Sequence, residues 1–346
     1  MTARMRAFLG AMVVVSACTG GDDGAAFDAT AARTYAFGPF DIAPGQEIND
    51  QCIQISLGNP EPIFVNQIEL TTGPGFHHSN WLWVPAHIFP GDDGTYTCDD
   101  RGFDQGVAAV FGNVVFAQST QNPHEIQRFP QNAALKIPAN AKLVSNIHLL
   151  NPREETLSVA PTIKLTPIAE DEVSTVLSGI SFENQALAIP GNNATSRFIT
   201  ECDLSERHTA LLGTNPDFNL YYALAHYHEL ATGLTIEAVR PDGSATTVFT
   251  TTQAVGDSLG GPIDPLFSMQ GYTKLRMSCD FKNPRPSTVR WGVGDQEMCV
   301  FLAFSDSPYN WGGGIHSRSA PENPQMVGTT MTYTNACQLL VIDGTH

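Results

Sequence analysis

The sequence predicts an all-β protein made of antiparallel β-sandwiches, and three observations support this fold class. The 346-residue chain is 42% hydrophobic and 15% charged, which is the composition of a folded globular protein. It contains 30 Gly and 23 Pro, with Val, Thr, Ile and Phe spread between them, and this favours many short strands joined by turns. Domains usually hold roughly 100 to 200 residues, so the length predicts two domains, each large enough to bury its own core.

The first segment of the chain looks like a bacterial lipoprotein signal. Arg4 and Arg6 precede an apolar run, Ala7 to Val15, and small residues then lead to Cys18. We expect residues 1–17 to be a signal peptide, Cys18 to carry a lipid, and the protein to be exported to the periplasm or the cell surface. An ordinary secretory signal ending at the same small residues is the alternative. No later segment has the roughly 18 to 20 apolar residues of a membrane span, so we expect membrane attachment only through the lipid.

Domain organisation is indicated by changes in composition along the chain. Residues 18–33 are small, acidic and aperiodic, which predicts a flexible tether. The acidic stretch Ala169 to Val173 follows a strand-like segment and predicts the boundary between the two folded domains. We therefore expect an N-terminal domain over 34–168 and a C-terminal domain over 169–346.

Strand signals recur within these limits. Leu234 to Val239 alternates in polarity, Pro241-Asp242-Gly243 is a turn sequence, and Thr246 to Thr251 is rich in β-formers. This pattern predicts a β-hairpin, because Pro presets φ and Gly tolerates a positive φ. Similar strand-like runs are found at Ile63 to Leu70, Leu143 to Leu150 and Val300 to Phe304.

Charge and cysteine content restrict the function further. The chain has 18 basic and 35 acidic residues, a net charge of −17, whereas a nucleic-acid binder needs the opposite sign. Besides Cys18 there are six cysteines, an even number that predicts three disulfides in an oxidising compartment. Six cysteines allow 15 pairings, but the two-domain split places Cys52 and Cys98 together in the first half. The absence of a CxxC pair disfavours thiolate zinc sites.

Five histidines stand at spacings that suit a metal site. On a strand, residues i and i+2 point to one face, so His226 and His228 can aim two imidazoles at one point, with Tyr227 facing the core. The adjacent His77 and His78 would diverge on a regular strand, but the preceding Gly-Pro-Gly permits an irregular backbone that lets both converge. His148 is the candidate for a third imidazole. For a lone HxH pair, a polar residue on a sandwich face is an equally reasonable interpretation.

The order and context of these motifs resemble the copper type II, ascorbate-dependent monooxygenases, the family of the peptidylglycine and dopamine enzymes. HLLNP from His148 onward resembles the family's HYxNP, and AHYHELATG around His226 and His228 resembles its VHTHLTG. DQEMCVFLAFSDSP looks like the family's EMC segment and contains Met298. The likeness extends over most of residues 50–340 and implies two tandem jelly-roll-like antiparallel β-sandwich domains.

The resemblance implies two copper ions per chain. His77, His78 and His148 would hold one in the first domain, and His226, His228 and Met298 would hold the other in the second. A thioether is a poor zinc ligand but suits soft Cu(I), which agrees with this partition. A core methionine beside a disulfide is the alternative interpretation of Met298. The resemblance also implies that the two sets face each other across an open cleft.

The same resemblance implies the disulfide pairing, namely Cys52–Cys98, Cys202–Cys337 and Cys279–Cys299. It also bears on the substrate, because three positions that hold a substrate carboxylate in the peptidylglycine enzyme are Leu224, Val300 and Leu302 here. Apolar side chains cannot form the charge-assisted bonds that a carboxylate requires, so we expect an uncharged organic substrate.

The function implied by the resemblance is a copper-dependent monooxygenase, with His226, His228 and Met298 at the catalytic copper. It would hydroxylate an sp³ C–H bond of a small molecule with O₂ and an external reductant such as ascorbate. We expect a monomer whose partners are its substrate and O₂, with no nucleic acid. The alternatives from other classes are a periplasmic or surface copper-binding protein without catalysis, and an adhesion or glycan-binding sandwich.

Overall fold

The structure, a computed structural model, is all-β, as the sequence predicts. It describes residues 27–103, 105–118, 122–292, 294–319 and 324–344. The predicted signal peptide and Cys18 lie outside these residues. Among the helices described, none is long and apolar enough to cross a bilayer.

The first sandwich contains thirteen of the described strands, a short helix and two 3-10 turns. In chain order these are β1 (Arg33–Ala36), β2 (Phe40–Ile42), β3 (Glu47–Ser56), β4 (Ile63–Thr71), β5 (Phe76–Pro85), β6 (Gly94–Thr97), the 3-10 turn Cys98–Arg101, α1 (Gln105–Phe111), β7 (Asn113–Ala117), β8 (His124–Arg128), β9 (Ala133–Ile137), β10 (Ala141–Leu150), β11 (Leu157–Val159), β12 (Thr162–Ile168), the 3-10 turn Glu170–Glu172 and β13 (Thr175–Val176).

The second sandwich contains fourteen of the described strands and one helix. These are β14 (Ser178–Asn184), β15 (Ala188–Ile189), β16 (Ala194–Asp203), α2 (Ser205–Leu212), β17 (Asn219–His226), β18 (Ala231–Val239), β19 (Ala245–Thr251), β20 (Gly260–Ser268), β21 (Lys274–Asn283), β22 (Val289–Arg290), β23 (Val300–Ser305), β24 (Tyr309–Ile315), β25 (Gln325–Val327), β26 (Thr330–Ala336) and β27 (Gln338–Asp343).

Each sandwich packs two main sheets face to face. In the first, the sheet β1-β12-β4-β9-β13, with β8 also paired to β4, lies against the sheet β6-β3-β10-β5-β7. In the second, β20-β17-β23-β14-β24-β27 lies against β19-β18-β21-β16-β26-β25. Strands such as β14 alternate buried and half-buried residues along their length, which is the period-2 pattern of a sheet with one face in the core.

The predicted hairpin is confirmed. β18 and β19 pair in antiparallel register around the Pro241-Asp242-Gly243 turn, where Gly243 has φ +86°. The Gly243 N–H donates to the Arg240 carbonyl and closes the turn. A side chain at this φ would be strained, so the turn sequence fixes the hairpin.

Two predicted boundaries differ from the structure. The tether was expected to run to residue 33, but residues 27–33 fold back on the first sandwich: Phe27 packs against its core, and Arg33 stacks on the Phe27 ring. The connection between sandwiches also falls later than Ala169, because β13 still pairs with β9 of the first sandwich. In both places the chain contacts the first sandwich, although its polar composition is typical of a linker.

The two sandwiches share buried apolar surface. The Phe129 ring of the first sandwich lies 5.0 Å from the Phe304 ring and 5.9 Å from the Tyr222 ring of the second. Tyr221 and Leu224 of β17 belong to the same apolar cluster. The sheet that carries the second set of candidate ligands is therefore packed directly against the first sandwich.

Candidate metal centre

The strands of both sandwiches bring the five predicted histidines together. His77 and His78 lie on β5, His148 lies on the neighbouring β10, and His226 ends β17 of the other sandwich. His228 follows two residues after His226, in the loop before β18.

A β-bulge explains how the adjacent His77 and His78 converge. In the β5–β10 ladder His78 pairs with His148, but the next pair joins Phe76 with Leu149, so His77 is the extra residue. An extra residue on one strand breaks the alternation of side chains, so neighbours can point to the same region. The Nδ1 atoms of His77 and His78 lie 3.0 Å apart. The irregular backbone expected from the Gly-Pro-Gly sequence is thus observed as a bulge.

The expected placement of the HxH pair on one strand is wrong. β17 ends at His226, so His226 and His228 are brought together by a strand end and a loop. Tyr227 does face the core, as predicted, and its hydroxyl donates to the Gln253 carbonyl. The imidazoles of the two histidines lie 5.3 Å apart between ring centroids.

The expected open cleft between the two sets is also wrong, because the five imidazoles form a single cluster. The His78 ring centroid lies 5.1 Å from each of three other imidazoles, those of His77, His148 and His226. The first two belong to the same sandwich as His78 and the third belongs to the other. Among the described residues, two groups of three histidines each have their ligand atoms within 4.8 Å of one another. One group is His77, His78 and His148, and the other is His78, His226 and His228.

Hydrogen bonding selects one nitrogen of His148 for a metal. Its Nε2 lies 2.7 Å from the Glu47 carboxylate, so Nε2–H donates and the lone pair is left on Nδ1. That Nδ1 is buried and has no hydrogen-bond partner among the described residues. A buried nitrogen without a partner costs free energy unless something binds it, and a metal ion meets this need.

His228 shows the same arrangement with the nitrogens exchanged. Its Nδ1 lies 2.8 Å from the Gln296 carbonyl and donates to it. Its Nε2 is buried without a hydrogen-bond partner in the described part of the chain. A neutral imidazole held by an acceptor on one nitrogen is the usual state of a metal-binding histidine.

Glu297 is a further residue of the candidate site, and the sequence motifs did not predict its role. Its carboxylate is almost fully buried and accepts three backbone N–H groups, those of His228, Leu230 and Met298 at 3.0, 2.6 and 3.3 Å. Burial raises the pKa of Glu297 to about 7, although these hydrogen bonds oppose the rise. One carboxylate therefore joins the His228 loop to the Met298 segment.

Met298 is half-buried and lies between Glu297 and Cys299, in the segment that precedes β23. Cys299 is bonded to Cys279 on β21. The backbone around Met298 is thus fixed from both sides, by a disulfide and by the buried carboxylate, next to the loop that carries His228.

Burial keeps three histidines of the cluster, His77, His78 and His228, in the neutral form. Removal from water, and then the neighbouring imidazoles of His148, His228 and His226, lower the pKa of His77 to about 3. The same causes hold the pKa of His78 well below its ordinary value, and burial lowers that of His228. Neutral imidazole is the form that binds a metal ion, so these three histidines can bind a cation without first losing protons.

A cavity of about 350 Å³ adjoins the cluster and is lined by four of its histidines, all except His148. Its wall also carries the carboxylates of Glu47, Glu229 and Asp295. Arg285 is the one Lys or Arg among the described residues that line it, and its guanidinium already donates to the Asp295 carbonyl. The lining therefore disfavours an anionic ligand.

The three positions expected to replace a substrate-carboxylate site are apolar and largely packed away. Leu224 is buried in the apolar cluster shared by both sandwiches, and Leu302, which pairs with it across β17 and β23, packs against that cluster. Val300 pairs with His226 and is half-buried. These positions offer no polar contact for a substrate.

All three predicted disulfides are confirmed: Cys52–Cys98, Cys202–Cys337 and Cys279–Cys299. The first joins β3 to the 3-10 turn, beside Asn146 on β10. Three disulfides indicate an oxidising compartment.

Comparison with known proteins gives only weak structural similarities. No family model matches the chain, and no curated protein matches its sequence. The major capsid protein P2 from bacteriophage PM2 is 9% identical, with 80% of this chain and 97% of that chain covered at a TM-score of 0.32. PNGase F, a glycosylasparaginase from Flavobacterium meningosepticum, is 8% identical, with 90% and 99% covered at a TM-score of 0.36. At these TM-scores neither similarity bears on the function.

Proposed function

We propose that this chain is a copper-dependent monooxygenase that hydroxylates an sp³ C–H bond of a small uncharged molecule. The proposal rests on the convergence of five imidazoles, of which His148 and His228 each keep one buried nitrogen with no hydrogen-bond partner in the described part of the chain. The order of the His-His, His, HxH and EMC motifs supports copper, because a methionine stands where a zinc site would have a harder ligand.

In this proposal the chain binds two copper ions. His77, His78 and His148 would hold one, and His226, His228 and Met298 would hold the other. Copper, when bound, supplies one-electron redox chemistry and activation of O₂. In the overall reaction one oxygen atom is inserted into the C–H bond and the other leaves as water, with two electrons and two protons from a reductant such as ascorbate.

The protein's contribution is to fix the ligands and to place the substrate. Glu47 and the Gln296 carbonyl orient His148 and His228 through their outer nitrogens. Glu297 holds the His228 loop against the Met298 segment. The cavity beside the cluster gives a substrate access to His226 and His228, and its carboxylates favour an uncharged substrate over an anion.

The three disulfides agree with the export expected from the sequence. We further propose that the protein is held at a bacterial membrane by a lipid on Cys18 and works in the periplasm or at the cell surface. We expect it to act as a monomer with a small-molecule substrate.

Copper content and reductant-dependent O₂ uptake test the function. The purified chain should bind two copper ions and consume O₂ with ascorbate, and Met298→Ala should abolish the uptake. Met326→Ala is the matched control, because Met326 is 62% exposed on β25, in the edge strand of a sheet, and should keep full uptake.

Other results would change the assignment. Copper binding without O₂ uptake across a panel of uncharged compounds would favour a copper-binding protein without catalysis. A chain that binds no copper, or a Met298→Ala variant that behaves like the control, would overturn the assignment of the second set.

A further inference from the structure

The two groups of convergent histidines share one residue, and this sharing is not part of the two-copper assignment. His78 belongs both to the group with His77 and His148 and to the group with His226 and His228. The second group draws its ligands from both sandwiches, since His78 lies on β5 while His226 ends β17.

We propose that the structure contains an interdomain metal site in which His78, His226 and His228 bind one divalent ion of the Zn²⁺ class. Three imidazoles with a fourth position open to solvent or a small ligand form a set that Zn²⁺ commonly takes. The ligand atoms lie within 4.8 Å of one another, so only small side-chain adjustments are needed.

Two features of the cluster favour this set. The buried Nε2 of His228 is without a hydrogen-bond partner among the described residues, while its Nδ1 is held by the Gln296 carbonyl. The His78 imidazole lies as close to His226 of the other sandwich as to His148 of its own, 5.1 Å between ring centroids in each case. A metal ion can therefore bind His78 together with the histidines of either sandwich.

The chemistry of Met298 separates this site from the second copper set. A thioether suits Cu(I) but is a poor ligand for Zn²⁺, so Zn²⁺ takes an imidazole as its third ligand instead. An ion held in this way joins the two sandwiches and withdraws His78 from the first set. Zn²⁺ in the interdomain site thus competes with copper for three of the six predicted ligands.

The site is tested by Zn²⁺ titration of the metal-free full chain, with no copper, reductant or O₂ consumption involved. The starting variant is His148→Ala, which removes the first group and leaves the interdomain one. It should bind one Zn²⁺. Adding His78→Ala should weaken that binding by more than about 100-fold, since loss of a ligand exceeds the 10- to 100-fold effect of losing an outer-shell partner. Adding Met298→Leu should change the Kd by less than about threefold.

A variant that misfolds would not obscure the result. His78→Asn provides a second, polar replacement, and circular dichroism checks that each protein is folded. X-ray absorption at the zinc edge should be measured on the His148→Ala variant without further substitutions. The spectrum should show three imidazole ligands and no sulfur ligand. The proposal is overturned if His78→Ala and His78→Asn keep the affinity, if Met298→Leu loses it, or if the spectrum contains a Zn–S contribution. Because O₂ uptake is not measured, this test can fail while the monooxygenase assignment stands, and the reverse also holds.

Discussion

The two ligand sets are held in place by different means. His77, His78 and His148 lie on β5 and β10, which are paired along most of their length and flanked by β7 and β3. His226 and His228 lie at a strand end and in a loop, and this loop depends on Glu297 and on the Cys279–Cys299 bond. Sheet pairing fixes the first set, whereas one buried carboxylate and one disulfide fix the second.

The two kinds of support determine which residues each set depends on. A ladder distributes its support over many backbone hydrogen bonds, so no single side chain decides the geometry. A loop held by one carboxylate concentrates the support in that group. We therefore expect substitutions outside the ligands to affect the second set more than the first.

Among these substitutions, replacement of Glu297 should lower the stability most. Glu297→Ala leaves three backbone N–H groups without their acceptor, and an unsatisfied buried group costs about 1 to 3 kcal/mol. We expect the free energy of unfolding to fall by about 4 kcal/mol or more and copper binding at the second set to be lost, as measured by urea unfolding and metal analysis. Glu154→Ala, at an exposed position, is the control. A stability equal to that of the control would show that the carboxylate does not hold the loop.

Removing a disulfide gives the next largest effect. The double variant Cys279→Ser, Cys299→Ser removes a disulfide between residues 20 apart in sequence. Loop entropy predicts that the free energy of unfolding falls by about 3 kcal/mol. The second copper set should weaken in parallel, because Cys299 follows Met298. Removing Cys52–Cys98 should cost a similar amount while copper binding by the first set is kept, since β5 and β10 remain paired. Equal loss of copper from both double variants, measured by equilibrium dialysis, would contradict the contrast between the sets.

Glu47 provides a smaller test within the first set. Glu47→Ala removes the acceptor at His148 Nε2, and loss of such a partner typically weakens metal binding 10- to 100-fold. A competition titration should show that the copper affinity of the first set falls by this factor, while the copper affinity of the second set is unchanged. Glu69→Ala is a matched control, because Glu69 makes a similar 2.8 Å contact with His124 away from the cluster. Equal affinities for both variants would show that Glu47 does not orient His148.

The smallest effect is a pH dependence of the metal-free protein. The pKa of His77 is about 3 in the folded state, against about 6.5 for an unperturbed histidine. Between these values the unfolded chain binds more protons at His77 than the folded protein does. The contribution of His77 to the free energy of unfolding is therefore fully present above about pH 6.5 and falls as the pH is lowered. From pH 7 to 6 we expect a loss of less than about 1 kcal/mol for this residue, measured by urea unfolding. In the double variant His77→Asn, His78→Asn the free energy of unfolding should depend less on pH. A slope equal to that of the unmodified protein would contradict the assignment of this dependence to these histidines.

Part of the site could be predicted from sequence because its ligands stand in short motifs. The histidines, Met298 and the cysteine pairs follow from motif order and from the resemblance that this order carries. The bulge at His77 was suggested only as an irregular backbone, since its position depends on the register of β5 against β10.

Glu47 and Glu297 could not be assigned in this way. Glu47 lies 101 residues from His148, and the register between β3 and β10 shifts between Ile147 and Leu149, so no spacing rule places the carboxylate beside the imidazole. Glu297 lies between the polar Asp295-Gln296 and the apolar Met298-Cys299, so the local sequence does not indicate that its carboxylate is buried. The contact between the two sets depends on how the sandwiches pack, which strand patterns do not encode.

The apolar cluster around Phe129, Tyr222 and Phe304 has a consequence for how the molecule folds. Each half of the sequence is long enough for its own core, yet the first half completes its core with aromatic side chains from the second. Separated at Leu177, the halves would each present these rings to water and would tend to associate or aggregate. We therefore expect the chain to unfold as one cooperative unit, with similar protection of the two sandwiches against amide hydrogen exchange.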